Sequence, residues 1–234
     1  MLNFLLSELE RHCAENIRLV ITENVPDPIP LHTAQLTCPV HVIRNQHPKG
    51  YGANHNAAFA YCDTEFYCVC NPDVTITSDP FRQLLSTMQA GPRVGVVGPL
   101  VRSPTGNVED SARCFPTVSI LLRKLIGLPV QLDYPIDRGC VPVEWVAGMF
   151  MLLRSEAYRA VNGFDEAYYL YYEDVDICRR LHEAGWSVLY EPGAQVVHEG
   201  QRASRKDGRL ALQHLASIVR YFTGPRPRSA NQVN

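Results

Sequence analysis

Four short stretches of the chain carry residue types that can do chemistry. Asn71-Pro72-Asp73 follows directly on the apolar run Phe66-Tyr67-Cys68-Val69-Cys70. In an open parallel sheet, ligands collect at the carboxyl ends of strands. An aspartate there can hold a divalent cation that neutralises a diphosphate. A simple Asn-Pro-Asp turn is the plain alternative. Tyr171-Tyr172-Glu173-Asp174-Val175-Asp176 places three acids within four positions. On a helix Glu173 and Asp176 share a face while Asp174 points elsewhere. Acids in a first turn complement the helix dipole by about 0.3–1 kcal/mol each, which accounts for one or two of them. It does not account for Tyr168, Tyr169, Tyr171 and Tyr172 beside them. Tyrosines next to carboxylates suit a sugar-binding cleft, where a carboxylate can act as general base on a hydroxyl. Val196-Val197-His198-Glu199-Gly200 ends a strand on a histidine, a structural residue unless it converges on Asp73. Asn45 to Asn56 contains Gly50 and Gly52, which allow close backbone approach. That stretch is neither a G-x-G-x-x-G nor a P-loop, so it is only a weak phosphate cradle.

The elements that must position these residues alternate along the first hundred positions. Asn3 to about Asn16 reads as an amphipathic helix with Leu2, Leu5, Leu6 and Leu9 on one face. Strands are expected at Ile17–Ile21, Val40–Ile43, Phe66–Cys70 and Val94–Gly98. A loop turning into a helix spans Gly50–Ala60, and Phe81–Ala90 is helical. This alternation predicts a parallel α/β sheet. Residues 101–140 read as loops with one short helix at Ser119–Leu125. Val143–Leu153 is a long apolar stretch holding Trp145 and Gly148. A helix over Ser155–Val161 is expected to be capped by Ser155 and stopped at Asn162-Gly163. Glu173–Ala184 has acids at its start, Arg179 and Arg180 later, and Gly185 just past its end. Trp186–Tyr190 and Ala194–His198 read as two short strands and Leu210–Phe222 as a helix. One domain over residues 1–224 with a disordered tail at 225–234 is the expected organisation.

Composition narrows the class. The 234 residues are 46% hydrophobic and 20% charged, enough for one sizeable core. With 22 basic and 24 acidic residues the net charge is -2, which disfavours a net-basic nucleic-acid binder. No apolar run reaches the roughly 18 residues of a membrane-spanning helix. The eight cysteines form no CxxC pair and read as reduced, buried thiols rather than a disulfide framework or a zinc site. Without a spanning segment or signal peptide, the expected location is cytoplasmic. Ile120–Ile126, apolar with the basic pair Arg123-Lys124, could rest on the inner face of an anionic membrane. A buried helix with two exposed bases is the alternative.

The order of motifs is more specific than any one of them. Asn45…Gly50-Tyr51-Gly52-Ala53-Asn54-His55-Asn56, Asn71-Pro72-Asp73, Trp145-Val146-Ala147-Gly148-Met149-Phe150, Gly163-Phe164-Asp165-Glu166, Tyr172-Glu173-Asp174-Val175-Asp176-Ile177-Cys178-Arg179-Arg180 and His198-Glu199-Gly200 follow one another. This series resembles the family 2 inverting glycosyltransferases, most closely their bacterial rhamnosyltransferase branch, from about residue 15 to 220. The resemblance implies a GT-A fold, a Rossmann-like α/β sandwich around one mixed, mainly parallel sheet. It implies a nucleotide-diphospho-sugar donor, best matched by dTDP-L-rhamnose, and a glycan or lipid-linked acceptor. Mg²⁺ or Mn²⁺ would bridge the diphosphate to Asp73, with His198 matching the family's downstream metal-site histidine. Asp174 matches the general base. Trp145, Gly148, Tyr172 and Glu173 fall on the acceptor side. Asn45, Gly50, Asn54, Asn71 and Arg113 fall on the donor side, Arg113 with an acceptor contact as its alternative. Arg202 to Arg205 match a loop that closes over the diphosphate. Family members open with a strand that this chain lacks ahead of its first helix, and Glu23 stands where their second strand ends in an aspartate for the base or ribose. An upstream start encoding that strand is the accompanying expectation. The competing reading is a truncated, inactive sugar-nucleotide or glycan-binding protein, which the retained Asp73, Asp174 and His198 oppose. A nucleotidyltransferase is disfavoured because no Gly-rich signature followed by Lys or Arg opens the chain.

Overall fold

A computed structural model describes residues 1–13, 17–26, 28–125, 132–200 and 208–224. The elements in chain order are α1 (Leu2–Cys13), β1 (Leu19–Glu23), a 3₁₀ turn (Thr33–Gln35), β2 (Val40–Arg44), α2 (Tyr51–Phe59), β3 (Phe66–Cys70), β4 (Val74–Thr75), α3 (Phe81–Ala90) and β5 (Val94–Arg102). There follow β6 (Val108–Glu109), β7 (Ala112–Arg113), α4 (Val118–Leu125), β8 (Val141–Pro142), β9 (Trp145–Val146), β10 (Phe150–Arg154), α5 (Ser155–Ala160), α6 (Glu173–Glu183), β11 (Ser187–His198) and α7 (Gly208–Thr223).

The central sheet runs β3-β10-β5-β11-β4, with β6 on β5 and β8 on β11. β10 is antiparallel to both β3 and β5, and β11 is parallel to β5. The long strands β3, β5 and β11 therefore share one direction, with β10 inserted against them. The sheet is mixed and its carboxyl ends gather on one side, as the GT-A resemblance implies. The expectation of one sheet for all the early strands needs correction. β1 and β2 form their own parallel pair, in register from Leu19↔Val40 to Glu23↔Arg44. Among the described residues no ladder joins that pair to β3, whose only partner is β10.

Helices cover both faces, as a sheet with two apolar faces requires. On one side Leu5, Leu9, Leu84 and Met88 of α1 and α3 pack on Val97, Leu152 and Val196. On the other, Ala157, Tyr158, Ile177 and Leu181 of α5 and α6 pack on Val96, Met151 and Leu153. β5 is buried along nearly its whole length and runs four residues past the expected Gly98. Its glycines let neighbours in: a Cβ at Gly95 would lie 2.8 Å from the Trp186 Cβ, and one at Gly98 would lie 2.8 Å from the Val146 Cβ.

Several local expectations change. The strand expected at Ile17–Ile21 is shifted to Leu19–Glu23, paired with β2. The apolar stretch 143–153 is two strands in different sheets, β9 on β7 and β10 in the centre. The two short strands at 186–198 are one, with an irregularity between Glu191 and Gln195. Ser155 does not cap α5. The chain passes straight from β10 into the helix at Arg154, and no side-chain cap bond forms. Ser155 is buried in the first turn, and the Arg154 guanidinium is taken up by the carbonyls of Val94, Met88 and Gly91. Asn162, Gly163 and Gly185 do adopt the positive φ expected where α5 and α6 stop. All eight cysteines are free thiols. The expected end of α1 at Asn16, the loop Arg202–Arg205 and the tail 225–234 lie outside the described residues.

Candidate active site

The turn after β3 carries the first half of the site. Asn71 takes the backbone carbonyl of Met149 as acceptor for its N–H, at 2.9 Å, which fixes Asn71-Pro72-Asp73 beside the start of β10. β4 then pairs with the end of β11 in the register His198↔Val74. That pairing brings His198 to Asp73. His198 Nε2 lies 3.4 Å from Asp73 Oδ2, and its Nδ1 lies 3.0 Å from Glu109 Oε2 on β6. Burial works against the imidazolium, but the hydrogen bonds to Asp73 and Glu109 outweigh it and raise the His198 pKa above its usual value. The His198 hydrogen bond in turn holds the Asp73 carboxyl below the ordinary carboxylate range, against burial. Asp73 Oδ1 is buried with no hydrogen-bond partner among the described residues.

This donor set fits a divalent cation of the Mg²⁺ or Mn²⁺ kind. Such ions use one or two protein ligands and complete their shell with phosphate and water. Asp73 offers an unused oxygen, and His198 Nε2 faces it. Among the described residues no group of three His, Cys, Asp or Glu side chains encloses a metal by itself, so the remaining ligands would come from the diphosphate and solvent. Glu109 stands behind the imidazole, an outer-shell carboxylate of the kind that orients a ligating histidine.

The second half is the N-terminus of α6. Asp174 is partly exposed. Its Oδ2 accepts the Gly148 N–H at 2.9 Å and its Oδ1 the Val175 N–H at 2.8 Å. Burial raises its pKa, opposed by those two N–H groups and by the Arg113 charge. Glu173 is almost fully buried, and its Oε2 has no partner among the described residues. Burial, then the neighbouring Asp174, push its pKa up to about 8. Burial and the closeness of the two carboxyls make the second ionisation of the pair costly, so Glu173 and Asp174 titrate together, both above the ordinary carboxylate range. Asp176, on the same face as Glu173, has a different task. It is fully buried and binds Arg179 at 2.8 Å and Arg180 at 2.7 Å, while Arg180 also reaches the carbonyls of Val161 and Gly163.

Gly148 joins the two halves. Its N–H holds Asp174, and its carbonyl lies 2.7 Å from the Tyr51 hydroxyl, which is also 2.8 Å from Asn71 Oδ1. A Cβ at Gly148 would come within 3.2 Å of the Asp174 Cβ, so the absence of a side chain lets the carboxylate sit against the backbone. Tyr51 is half-buried, and Glu173 and Asp174 both add to the rise of its pKa behind burial. It keys α2 to the Asn71 turn and to the Asp174 support.

Other expected residues sort into two neighbourhoods. Asn45 and Asn54 hydrogen-bond each other at 2.8 Å, and Asn45 also bonds Asn24 at 2.9 Å, at the carboxyl ends of β1 and β2. Glu23 is there too, paired with Arg44 at 2.6 Å. Gly50 admits Tyr169, whose carbonyl accepts the Tyr51 N–H at 2.8 Å; a Cβ at Gly50 would meet that carbonyl at 2.8 Å. Arg113 lies instead on the Asp174 side. It pairs with Asp110 at 2.7 Å and covers the Trp145 ring at 5.5 Å. Trp145 is buried and donates its indole N–H to the Cys114 carbonyl, so it walls the site from below. The four tyrosines do not form one cleft wall. Tyr168 and Tyr172 are packed in the core, and Tyr169 is exposed, because the chain reverses through left-handed turns there. Arg202 falls outside the described residues.

Sequence reasoning missed Tyr51 and Glu109. Tyr51 sits between Gly50 and Gly52 and carries no motif of its own. Glu109 lies in the stretch read as loop, and only the short β5–β6 pairing delivers it to His198.

Comparison with known proteins identifies the family. Residues 31–214 match the family described as glycosyltransferase-like family 2. The N-acetylglucosaminyl-diphospho-decaprenol L-rhamnosyltransferase of Mycobacterium tuberculosis is 34% identical over 66% of this chain and 54% of its own length. The chain thus spans about half of that relative. Rhamnosyltransferase WbbL of Escherichia coli is 29% identical over 76% of this chain and 71% of its own. Among solved structures, the mannosyltransferase PcManGT of Pyrobaculum calidifontis, in complex with GDP-Man and Mn²⁺, superposes over 97% of this chain and 62% of its own, with a TM-score of 0.64 at 15% identity. GalNAc-T7 with UDP, GalNAc and Mn²⁺ covers 76% of this chain and 37% of its own, with a TM-score of 0.58 at 14% identity. The match over 184 of the 234 residues shows that the chain belongs to glycosyltransferase-like family 2.

Proposed function

We propose that this chain is an inverting glycosyltransferase that moves a sugar, L-rhamnose from dTDP-L-rhamnose, to a hydroxyl of a lipid-linked or polysaccharide acceptor. The observation that carries the reading is Asp174, whose two carboxyl oxygens are held by the Gly148 N–H at 2.9 Å and the Val175 N–H at 2.8 Å. Asp174 is thereby an oriented carboxylate at the edge of the sheet where ligands collect. It takes the proton from the acceptor hydroxyl, whose oxygen attacks the anomeric carbon from the face opposite the nucleotide. The C–O bond to the diphosphate breaks and the configuration inverts. One base suffices, because a nucleoside diphosphate leaves without a proton. Mg²⁺ or Mn²⁺, held by Asp73 and His198, would supply charge to the departing diphosphate. Glu23, Asn45 and Asn54 border the nucleotide, Arg113 and Trp145 the acceptor. Rhamnose is favoured by the likeness to two rhamnosyltransferases, and a lipid-diphosphate acceptor by the M. tuberculosis relative's name. No described helix is long and apolar enough to cross a membrane. Val118 and Leu122 of α4 are exposed, which leaves that helix available to a lipid surface carrying such an acceptor.

The test pairs binding with turnover. The melting temperature should rise with dTDP-L-rhamnose plus Mn²⁺ by about 2–4 °C per kcal/mol of binding. Asp174→Asn should leave that rise intact and lower kcat by roughly 10²–10⁴. Full activity in Asp174→Asn would remove the base assignment. A rise with a different nucleotide alone would reassign the donor.

A further inference from the structure

Tyr171 and Tyr172 both have a φ of 69°. For an L-residue the left-handed conformation is disfavoured by roughly tenfold, and two in succession persist only where the surroundings over-determine them. They stand immediately before α6, and the Tyr172 carbonyl accepts the Asp176 N–H at 2.9 Å. Their dihedrals therefore set the direction in which the first turn of α6, with Glu173 and Asp174, leaves the loop.

One face of α7 holds them. His214 packs its ring on Tyr171 at 4.8 Å and on Tyr172 at 5.9 Å between centroids. Ser217, one turn on and buried, donates its hydroxyl to the Leu170 carbonyl at 2.9 Å. Tyr221, the next turn, packs on Tyr172 at 5.3 Å and lies under the Arg179 guanidinium at 4.8 Å. Arg220 ties the same helix to Asp165 at 2.7 Å. His214, Ser217 and Tyr221 follow the three-to-four residue spacing of one helix face. The contacts of His214, Ser217 and Tyr221 fall on residues 170–172 or on the first turns of α6, and Arg220 anchors the helix to the loop ahead of them.

We propose that α7 is a clamp, and that His214, Ser217 and Tyr221 are positioning residues that keep Tyr171-Tyr172 left-handed and so place Asp174 against Gly148. The catalytic consequence rests on Asp174 as the base. The structural consequence does not, because the Gly148 N–H that Asp174 accepts is an independent reporter.

The test uses the full chain carrying His214→Ala and Ser217→Ala, followed by amide hydrogen exchange at Gly148 and by kcat and KM for the donor. The Gly148 amide should exchange about tenfold faster, and kcat should fall about tenfold. Donor KM should stay within twofold, since Asp73 in the turn before β4 and His198 at the end of β11 are not held by α7. Adding Tyr171→Gly, which takes positive φ without cost, should return both readouts to within about threefold of the parent. A merely structural loss would not be repaired by a glycine. If the double variant melts without a cooperative transition, Ser217→Ala alone serves, with changes of about threefold. Unchanged Gly148 exchange in a folded variant, or no recovery with Tyr171→Gly, overturns the clamp. A parent chain that turns over no donor, yet shows the stated exchange pattern, overturns the enzymatic reading and leaves the clamp standing.

Discussion

Glu173→Gln separates the proton on Glu173 from everything else at the site. In the folded chain this side chain is 5% exposed, one carboxyl oxygen has no partner among the described residues, and Asp174 is its neighbour. Burial first and Asp174 second raise its pKa from 4.5 to about 8. The native value lies above the unfolded one, so between those pH values the native state retains a proton that the unfolded chain has released. By linkage the unfolded state binds fewer protons there, and stability falls as pH rises. The contribution is fully present below about pH 4.5 and is lost on passing through about pH 8. At about 1.4 kcal/mol per pH unit the whole window has a ceiling of roughly 5 kcal/mol. Solvent access at Asp174 and local relaxation reduce this to about 2 kcal/mol. Glutamine has the shape of the neutral acid and no proton to lose. Thermal melts at pH 5.5, 7 and 8.5 should show the parent losing about 4–8 °C across the series relative to Glu173→Gln. The two curves should converge at the acid end. Parallel curves would mean that Glu173 is ionised in the native state and would refute the reasoning from its burial beside Asp174.

Two further outcomes follow from the same geometry. Asp176→Ala leaves Arg179 and Arg180 without their shared carboxylate in the core; unpaired buried charge costs about 3–5 kcal/mol, readable as a lower midpoint in urea with an unchanged slope. Glu109→Ala frees His198 Nδ1 from the carboxylate at 3.0 Å; Mn²⁺ affinity, measured by electron paramagnetic resonance on the purified chain without added nucleotide, should drop about 10–100-fold, and Glu109→Gln should recover most of it because an amide oxygen still accepts.

Local elements were legible from residue types alone, because periodicity and end signals act over one or two turns. Phe66–Cys70 and Phe81–Ala90 read from the sequence coincide with β3 and α3. The stop of α6 at Gly185 follows from a residue that takes a φ of 78° freely. The order of motifs also identified the family, since each motif keeps its residue types whatever lies between. What sequence could not say is which strands pair and which side chains meet. The run 143–153 is uniformly apolar whether it forms one strand or two, and only the sheet sends β9 to β7 and β10 between β3 and β5. Three acids open α6, and nothing in their spacing shows that Asp176 binds core arginines while Asp174 faces the site. The partners of those carboxylates, Gly148, Arg179, Arg180 and the unpartnered oxygen of Glu173, are set by packing. Glu109 and Tyr51 became visible for the same reason: a hydrogen bond across 89 residues to His198, or across 97 residues to Gly148, is a property of how the sheet and helices are stacked, and local propensity carries no information about it.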